Sequence, residues 1–110
     1  MTQNMLSEQL ENVTLKLKAN IYFDGGVVSH AVTSSAGPRR TVGVIRPGNY
    51  HFTTDAPERM DIIAGVCRVK LSDDKEWKTY KATEGFNVPE KSAFDIAVDS
   101  GLAEYLCTFG

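Results

Sequence analysis

Pro47-Gly-Asn-Tyr-His-Phe-Thr-Thr-Asp-Ala-Pro-Glu-Arg-Met-Asp-Ile-Ile-Ala-Gly65 is the stretch whose reading decides the fold. It reads as a turn, a strand, a second turn and a second strand. Arg46-Pro-Gly-Asn49 places proline and glycine as in a type II turn, because proline pre-sets φ and glycine accepts a positive one. Tyr50 and Phe52 then share one strand face by the period of two, so His51 points to the other. Asp55-Ala-Pro57 interrupts the pattern, and residues 60–64 resume it. The one glutamate of the stretch, Glu58, lies seven positions before Gly65.

The same pattern runs outward in both directions. Residues 15–23 alternate apolar and polar side chains and predict one strand. Asp24-Gly25-Gly26 follows as a tight turn, since glycine tolerates the positive φ that hairpin turns need. Further strands are predicted over 27–33, 41–45, 50–54, 60–64, 66–71, 77–80, 86–88, 93–98 and 102–109. That is about ten short strands with Gly, Pro or Asp at most joints, the pattern of an all-β barrel or sandwich. Residues 1–14 are polar and form an N-terminal extension, either disordered or carrying a short helix through Leu6, Leu10 and Val13. Such a helix is marginal alone. The remaining 15–110 are read as one domain.

Composition narrows the function. The net charge of −2 supplies no field to attract nucleic acid or an anionic membrane. No apolar run approaches the roughly 20 residues needed to cross a bilayer as a helix. The N-terminus shows no signal-peptide pattern, and Cys67 and Cys107 each sit in an apolar strand. Both are read as reduced, buried thiols of a cytoplasmic protein. No Gly-x-Ser-x-Gly, P-loop or Gly-x-Gly-x-x-Gly motif occurs.

Glu58-x6-Gly65 followed by Gly85-x3-Pro89 resembles the two sequence blocks of the cupin barrel. The expected fold is therefore all-β, a single cupin-like jelly-roll barrel. A cupin metal site takes a His-x-His pair, a glutamate and a third histidine. Here the pair aligns with His51-Phe52-Thr53 or with Phe52-Thr53-Thr54, and the third histidine falls at Phe94. One carboxylate and at most one imidazole do not make the three or four ligands a transition metal needs. No metal and no other cofactor is expected.

A closer resemblance rests on several short stretches in order. They are Tyr22-Phe23 before Asp-Gly, a serine-rich loop leading into Thr41-Val-Gly-Val44, Gly48-Asn-Tyr-His-Phe52 and Pro57-Glu-Arg-Met60. Ile63-Ala-Gly65, Trp77, Phe86-Asn-Val-Pro89, Ser92-Ala-Phe94 and Tyr105-Leu-Cys107 complete the series. Together they resemble the small cupin-like pyrimidine/purine nucleoside phosphorylases of bacteria, from Leu17 to Phe109. The resemblance implies a pentosyltransferase of broad specificity. Inorganic phosphate would attack C1′ of a purine or pyrimidine nucleoside, releasing base and pentose 1-phosphate. It also implies a homodimer. The rival readings are a non-catalytic cupin that binds a sugar or nucleoside, and a metal-dependent cupin enzyme with a rearranged site.

The residues can be matched to that chemistry. Phosphorolysis needs a held phosphate, tolerance of positive charge at the sugar and a stabilised leaving base, which positioning and electrostatics can supply. Arg39 is the first phosphate candidate because its planar fork donates two parallel hydrogen bonds. The hydroxyls of Ser34, Ser35 and Thr41 accompany it, and Arg40 is the weaker candidate. Glu58 is the catalytic candidate, at the ribose hydroxyls or beside the developing charge. Tyr50, Phe52, Met60, Phe86 and Phe94 are candidates for the wall that takes the base, since an aromatic face tolerates any base.

Overall fold

The computed structural model describes residues 9–110. Short strands joined by tight turns build two antiparallel sheets. The strands are β1 (Thr14–Leu15), β2 (Asn20–Tyr22), β3 (Val27–Thr33), β4 (Arg40–Ile45), β5 (Gly48–Thr53), β6 (Glu58–Ala64), β7 (Val66–Leu71), β8 (Lys78–Lys81), β9 (Gly85–Val88), β10 (Ala93–Val98) and β11 (Ala103–Phe109). The larger sheet runs β1-β3-β4-β11-β6-β9, with β2 also on β3, and the smaller runs β5-β10-β7-β8. The all-β class is as expected. The ladder does not close on itself: the pairing leaves two separate sheets in place of one continuous barrel.

The connections explain the layering. β4 belongs to the larger sheet and β5 to the smaller, so the Arg46-Pro47 corner carries the chain from one layer to the other. Gly48 has φ +152°, and a Cβ there would lie 2.5 Å from the Tyr50 hydroxyl. That hydroxyl donates to the Arg46 and Pro47 carbonyls at 2.9 and 3.0 Å, which staples the corner. Gly65 makes the return step between β6 and β7 at φ +84°, where the backbone of Leu102 and Ala103 leaves no room for a side chain.

The single strand predicted over 15–23 is broken in the structure. Continuing the β1 register would set Asn20 opposite Val27; it stands opposite Ser29 instead, two residues out of step. Residues 17–19 therefore leave the ladder and Leu17 is 84% exposed. The strand ends at Tyr22, because Phe23 and Asp24 both take φ 54° in a 3-10 turn ahead of Gly26. Residues 9–13 contain no helix, Thr14 already belongs to β1, and residues 1–8 lie outside the described residues.

Alternate residues of the two sheets meet in the middle. Val27, Ile45, Ile62, Val69, Val88 and Ile96 are each at most 1% exposed. Burying each such side chain contributes roughly 1.5–3 kcal/mol against leaving it in water. The space between the sheets is not filled along its whole length. At the end bounded by β2, the 3-10 turn and the start of β6 it opens into a cavity.

Candidate active site

The cavity holds about 630 Å³ and has two chemically different walls. The larger sheet supplies the polar wall through Ser29, Thr41, Glu58, Tyr105 and Cys107. Antiparallel register gathers them: Thr41 stands opposite Cys107, Ser29 and Tyr105 both stand opposite Gly43, and Glu58 opposite Phe109. Gly43 matters because it has no side chain. A Cβ there would lie 2.6 Å from three atoms of Tyr105, so the ring lies across the gap, and Ser29 is among the groups that act on its hydroxyl. Ser29 is only 2% exposed, and Asn20 Nδ2 donates to its Oγ at 3.4 Å.

The opposite wall is apolar. Phe52 and Phe94 stack with centroids 5.6 Å apart, and Ile96 continues their face. Phe23 meets Phe52 edge-on at 5.5 Å, and Tyr22 does the same at 6.0 Å. An aromatic corner thus faces a set of hydroxyl, thiol and carboxyl groups.

Among the described residues Glu58 is the only carboxylate lining this cavity. Burial pushes its carboxyl above the ordinary carboxylate value. The Cys107 thiol and the positive Arg39 pull the other way without cancelling the shift. The thiol donates to Glu58 Oε1 across 3.6 Å. Tyr105 is pushed up to about 12, chiefly by burial, so its hydroxyl stays protonated.

The candidate residues separate in space. Thr41, Phe52, Glu58, Met60 and Phe94 all line the cavity. Arg39 stands at its rim: the guanidinium lies 4.2 Å over the Phe109 ring, and the Arg39 carbonyl accepts from the Phe109 amide at 3.0 Å. Arg40, one residue on, lines the outer face of the larger sheet, with Nε buried and unpaired. Ser34 and Ser35 stay on the loop before β4, away from the cavity lining. Tyr50 and Phe86 do not line it either. Tyr50 is occupied with the Arg46-Pro47 corner, and Phe86 packs between Tyr80 and Phe94 in the core.

His51 follows the period of two. Its side chain is 60% exposed and pairs with Asp95 at 2.8 Å, and the opposed strand places both on the outer face of the smaller sheet. Among the described residues no three His, Cys, Asp or Glu side chains converge as a metal-binding group. His51 is among the residues around the cavity, but its ring is taken by Asp95, and Phe94 presents a ring where a ligand would stand. This donor set does not fit the metal of a cupin site.

Ser29, Tyr105 and Cys107 were not singled out from the sequence as site residues. The available signal was a polar residue at an inward position of an otherwise apolar strand. Ser29 follows Val27 on one face, and Tyr105, Cys107 and Phe109 alternate along another.

A profile for the pyrimidine/purine nucleoside phosphorylases matches residues 17–109. The chain belongs to this family. A pyrimidine/purine nucleoside phosphorylase of Cupriavidus metallidurans is 54% identical over 102 residues, covering 93% of this chain and 98% of that protein. One from Aromatoleum aromaticum is 48% identical over 105 residues, covering 96% and 98%. A crystal structure of a protein of unknown function from Acinetobacter sp. ADP1 superposes with a TM-score of 0.91 at 40% identity, over 94% of this chain and all of the other. A cupin superfamily protein from Desulfitobacterium hafniense superposes at 0.61 with 14% identity, covering 76% of each chain, a likeness of fold alone.

Proposed function

We propose that the protein cleaves nucleosides by phosphorolysis in the cavity between its sheets. The observation that carries this is the pairing of one polar wall, built around Glu58, with one aromatic wall. A nucleoside has the same division into a polar sugar and a flat base. In this reading the base lies against Phe52, Phe94 and Phe23. The sugar faces Glu58, Thr41 and the Ser29–Tyr105 pair. Arg39 at the rim receives the phosphate.

The step itself requires no covalent intermediate. A phosphate oxygen bonds to C1′ as the C1′–N bond breaks and its electron pair leaves on the base. The proton of the hydrogenphosphate ends on the base nitrogen, so the products are free base and pentose 1-phosphate. Glu58 opposes the positive charge that develops at C1′ or accepts hydrogen bonds from the sugar hydroxyls. Stacking on aromatic faces asks little of base identity, which suits purines and pyrimidines alike. No step in this scheme uses a metal.

The family names of the relatives support the reading, and so does the space of about 630 Å³ between the two sheets, within the range of small-molecule sites. In this reading the chain works as a homodimer that pairs through the outer face of the larger sheet. There an apolar groove of about 730 Å³ runs past Val28, Val42, Val44 and Leu106. Cys67 and Cys107 are both buried and free, in keeping with a reducing cytoplasm. Among the described residues no helix is long and apolar enough to cross a membrane.

Incubating the protein with uridine, with and without phosphate, tests the proposal. Uracil should form only with phosphate. Uridine that binds without being cleaved would support a binding protein instead.

A further inference from the structure

We propose that Cys107 is a positioning residue: its thiol donates to Glu58 and holds that carboxyl group facing the sugar site. The inference rests on reading the cavity as a nucleoside site. Sγ lies 3.6 Å from Oε1, a normal separation for a sulfur donor. The contact follows from register. Phe109 is directly opposite Glu58 and Cys107 opposite Met60, so Cys107 is the diagonal, same-face neighbour of Glu58 across the β6–β11 ladder.

The thiol is well suited to donate. Burial and the negative charge of Glu58 push its ionisation far above neutrality, so it carries its proton wherever the enzyme works. It is 3% exposed, which keeps water from replacing it. Other groups face the carboxyl without duplicating the contact. Arg39 acts from the rim as a charge, Thr41, Ser29 and Tyr105 line the same wall, and Val88 opposite on β9 is apolar. Asp61 on β6 reaches Cys107 only electrostatically. A carboxylate anchored on one oxygen leaves its second oxygen free for the substrate.

The molecule contains its own control. Cys67 is equally buried, at 1% exposed, and its thiol is pushed up to about 11 by burial alone. It sits in the smaller sheet, on β7, and packs in the core.

The test compares wild type with Cys107→Ala, Cys107→Ser and Cys67→Ser. The Glu58 carboxyl carbon is titrated by nuclear magnetic resonance, with Glu58→Gln identifying the signal, and kcat/KM for uridine is measured against pH. Removing a donor to the charged form raises a carboxyl's ionisation midpoint, so Cys107→Ala should move it upward by about half a unit or more. The acid limb of kcat/KM should move the same way, and activity at neutral pH should fall about tenfold. Cys107→Ser should restore both, and Cys67→Ser should change neither. An unchanged midpoint in Cys107→Ala, or a midpoint that moves while the activity profile does not, overturns the proposal. The S–H stretch in the Raman spectrum of the unmutated chain gives a reading that no folding defect can obscure. One thiol band should shift as Glu58 titrates, and two static bands overturn the proposal. Failure of the wild type to cleave any nucleoside would instead overturn the phosphorylase reading, and the carbon titration would then decide the thiol contact alone.

Discussion

Replacing Gly43 with alanine sets one methyl group against the Tyr105 ring. The new Cβ would lie 2.6 Å from three of its atoms, where ordinary contact begins at 3.4 Å. The ring must retreat by the difference, about 0.8 Å, and the open side is the cavity. That motion pushes a ring that is itself only 8% exposed out of its packed place beside Ser29, which is 2% exposed. Forcing an extra methyl group into a packed site costs about 1–3 kcal/mol. Alanine recovers about 0.4–1 kcal/mol by restricting the unfolded chain. The variant should therefore be less stable by about 1–2 kcal/mol, read from its urea midpoint at unchanged slope. Activity should suffer more. A displacement approaching 1 Å beside the reacting groups costs on the order of 10²-fold in rate. Trimming the ring with Tyr105→Leu should make the added cost of Gly43→Ala small, since the two changes share one contact. A Gly43→Ala protein with wild-type stability and wild-type turnover would refute the role given to this gap.

Glu58→Gln should lower turnover roughly 10²–10³-fold, the usual cost of losing one transition-state contact. Its stability should show the opposite sign. Because burial raises the Glu58 carboxyl, its contribution is full below the ordinary carboxylate value and is lost as pH rises through the folded value. The glutamine variant should thus melt at or above the wild-type temperature at neutral pH, and the gain should fade on acidification. A variant that melts well below wild type at neutral pH contradicts this. Arg39→Lys should raise the Michaelis constant for phosphate and leave that for nucleoside nearly unchanged, since the charge remains but the fork is lost. Arg40→Lys, on the opposite face of the sheet, should do little; equal effects would move the phosphate site elsewhere. Turnover should survive exhaustive chelation, because Phe94 and the Asp95-paired His51 leave Glu58 without histidine ligands. A stoichiometric metal whose removal abolishes activity would overturn that expectation.

The strand pattern was legible because turns and alternation are local. Pro47-Gly48 marks the layer change, and the period of two that turned His51 outward holds in the structure. The broken first strand was not legible. Its cause is a two-residue slip against β3, and alternation along one segment cannot report its register with another. The same limit governs the site. Tyr50 and Phe52 share a face, yet only Phe52 reaches the cavity, because the Tyr50 hydroxyl is drawn to the carbonyls of a corner. Arg39 and Arg40 are adjacent in sequence and lie on opposite faces of the sheet. Ser29, Tyr105 and Cys107 form one wall only through pairing among β3, β4 and β11, a long-range fact. Gly43 shows it most plainly. Nothing near it in sequence explains a glycine in mid-strand; the explanation is a tyrosine from the last strand.

The central claim is that phosphate, not water, takes the pentose from the base. The most direct measurement follows uridine and inorganic phosphate with the protein by phosphorus nuclear magnetic resonance while uracil is quantified in the same sample. A pentose 1-phosphate signal should grow in step with uracil, one for one, and neither should form when phosphate is left out. Uracil appearing without a sugar phosphate would mean hydrolysis and contradict the account.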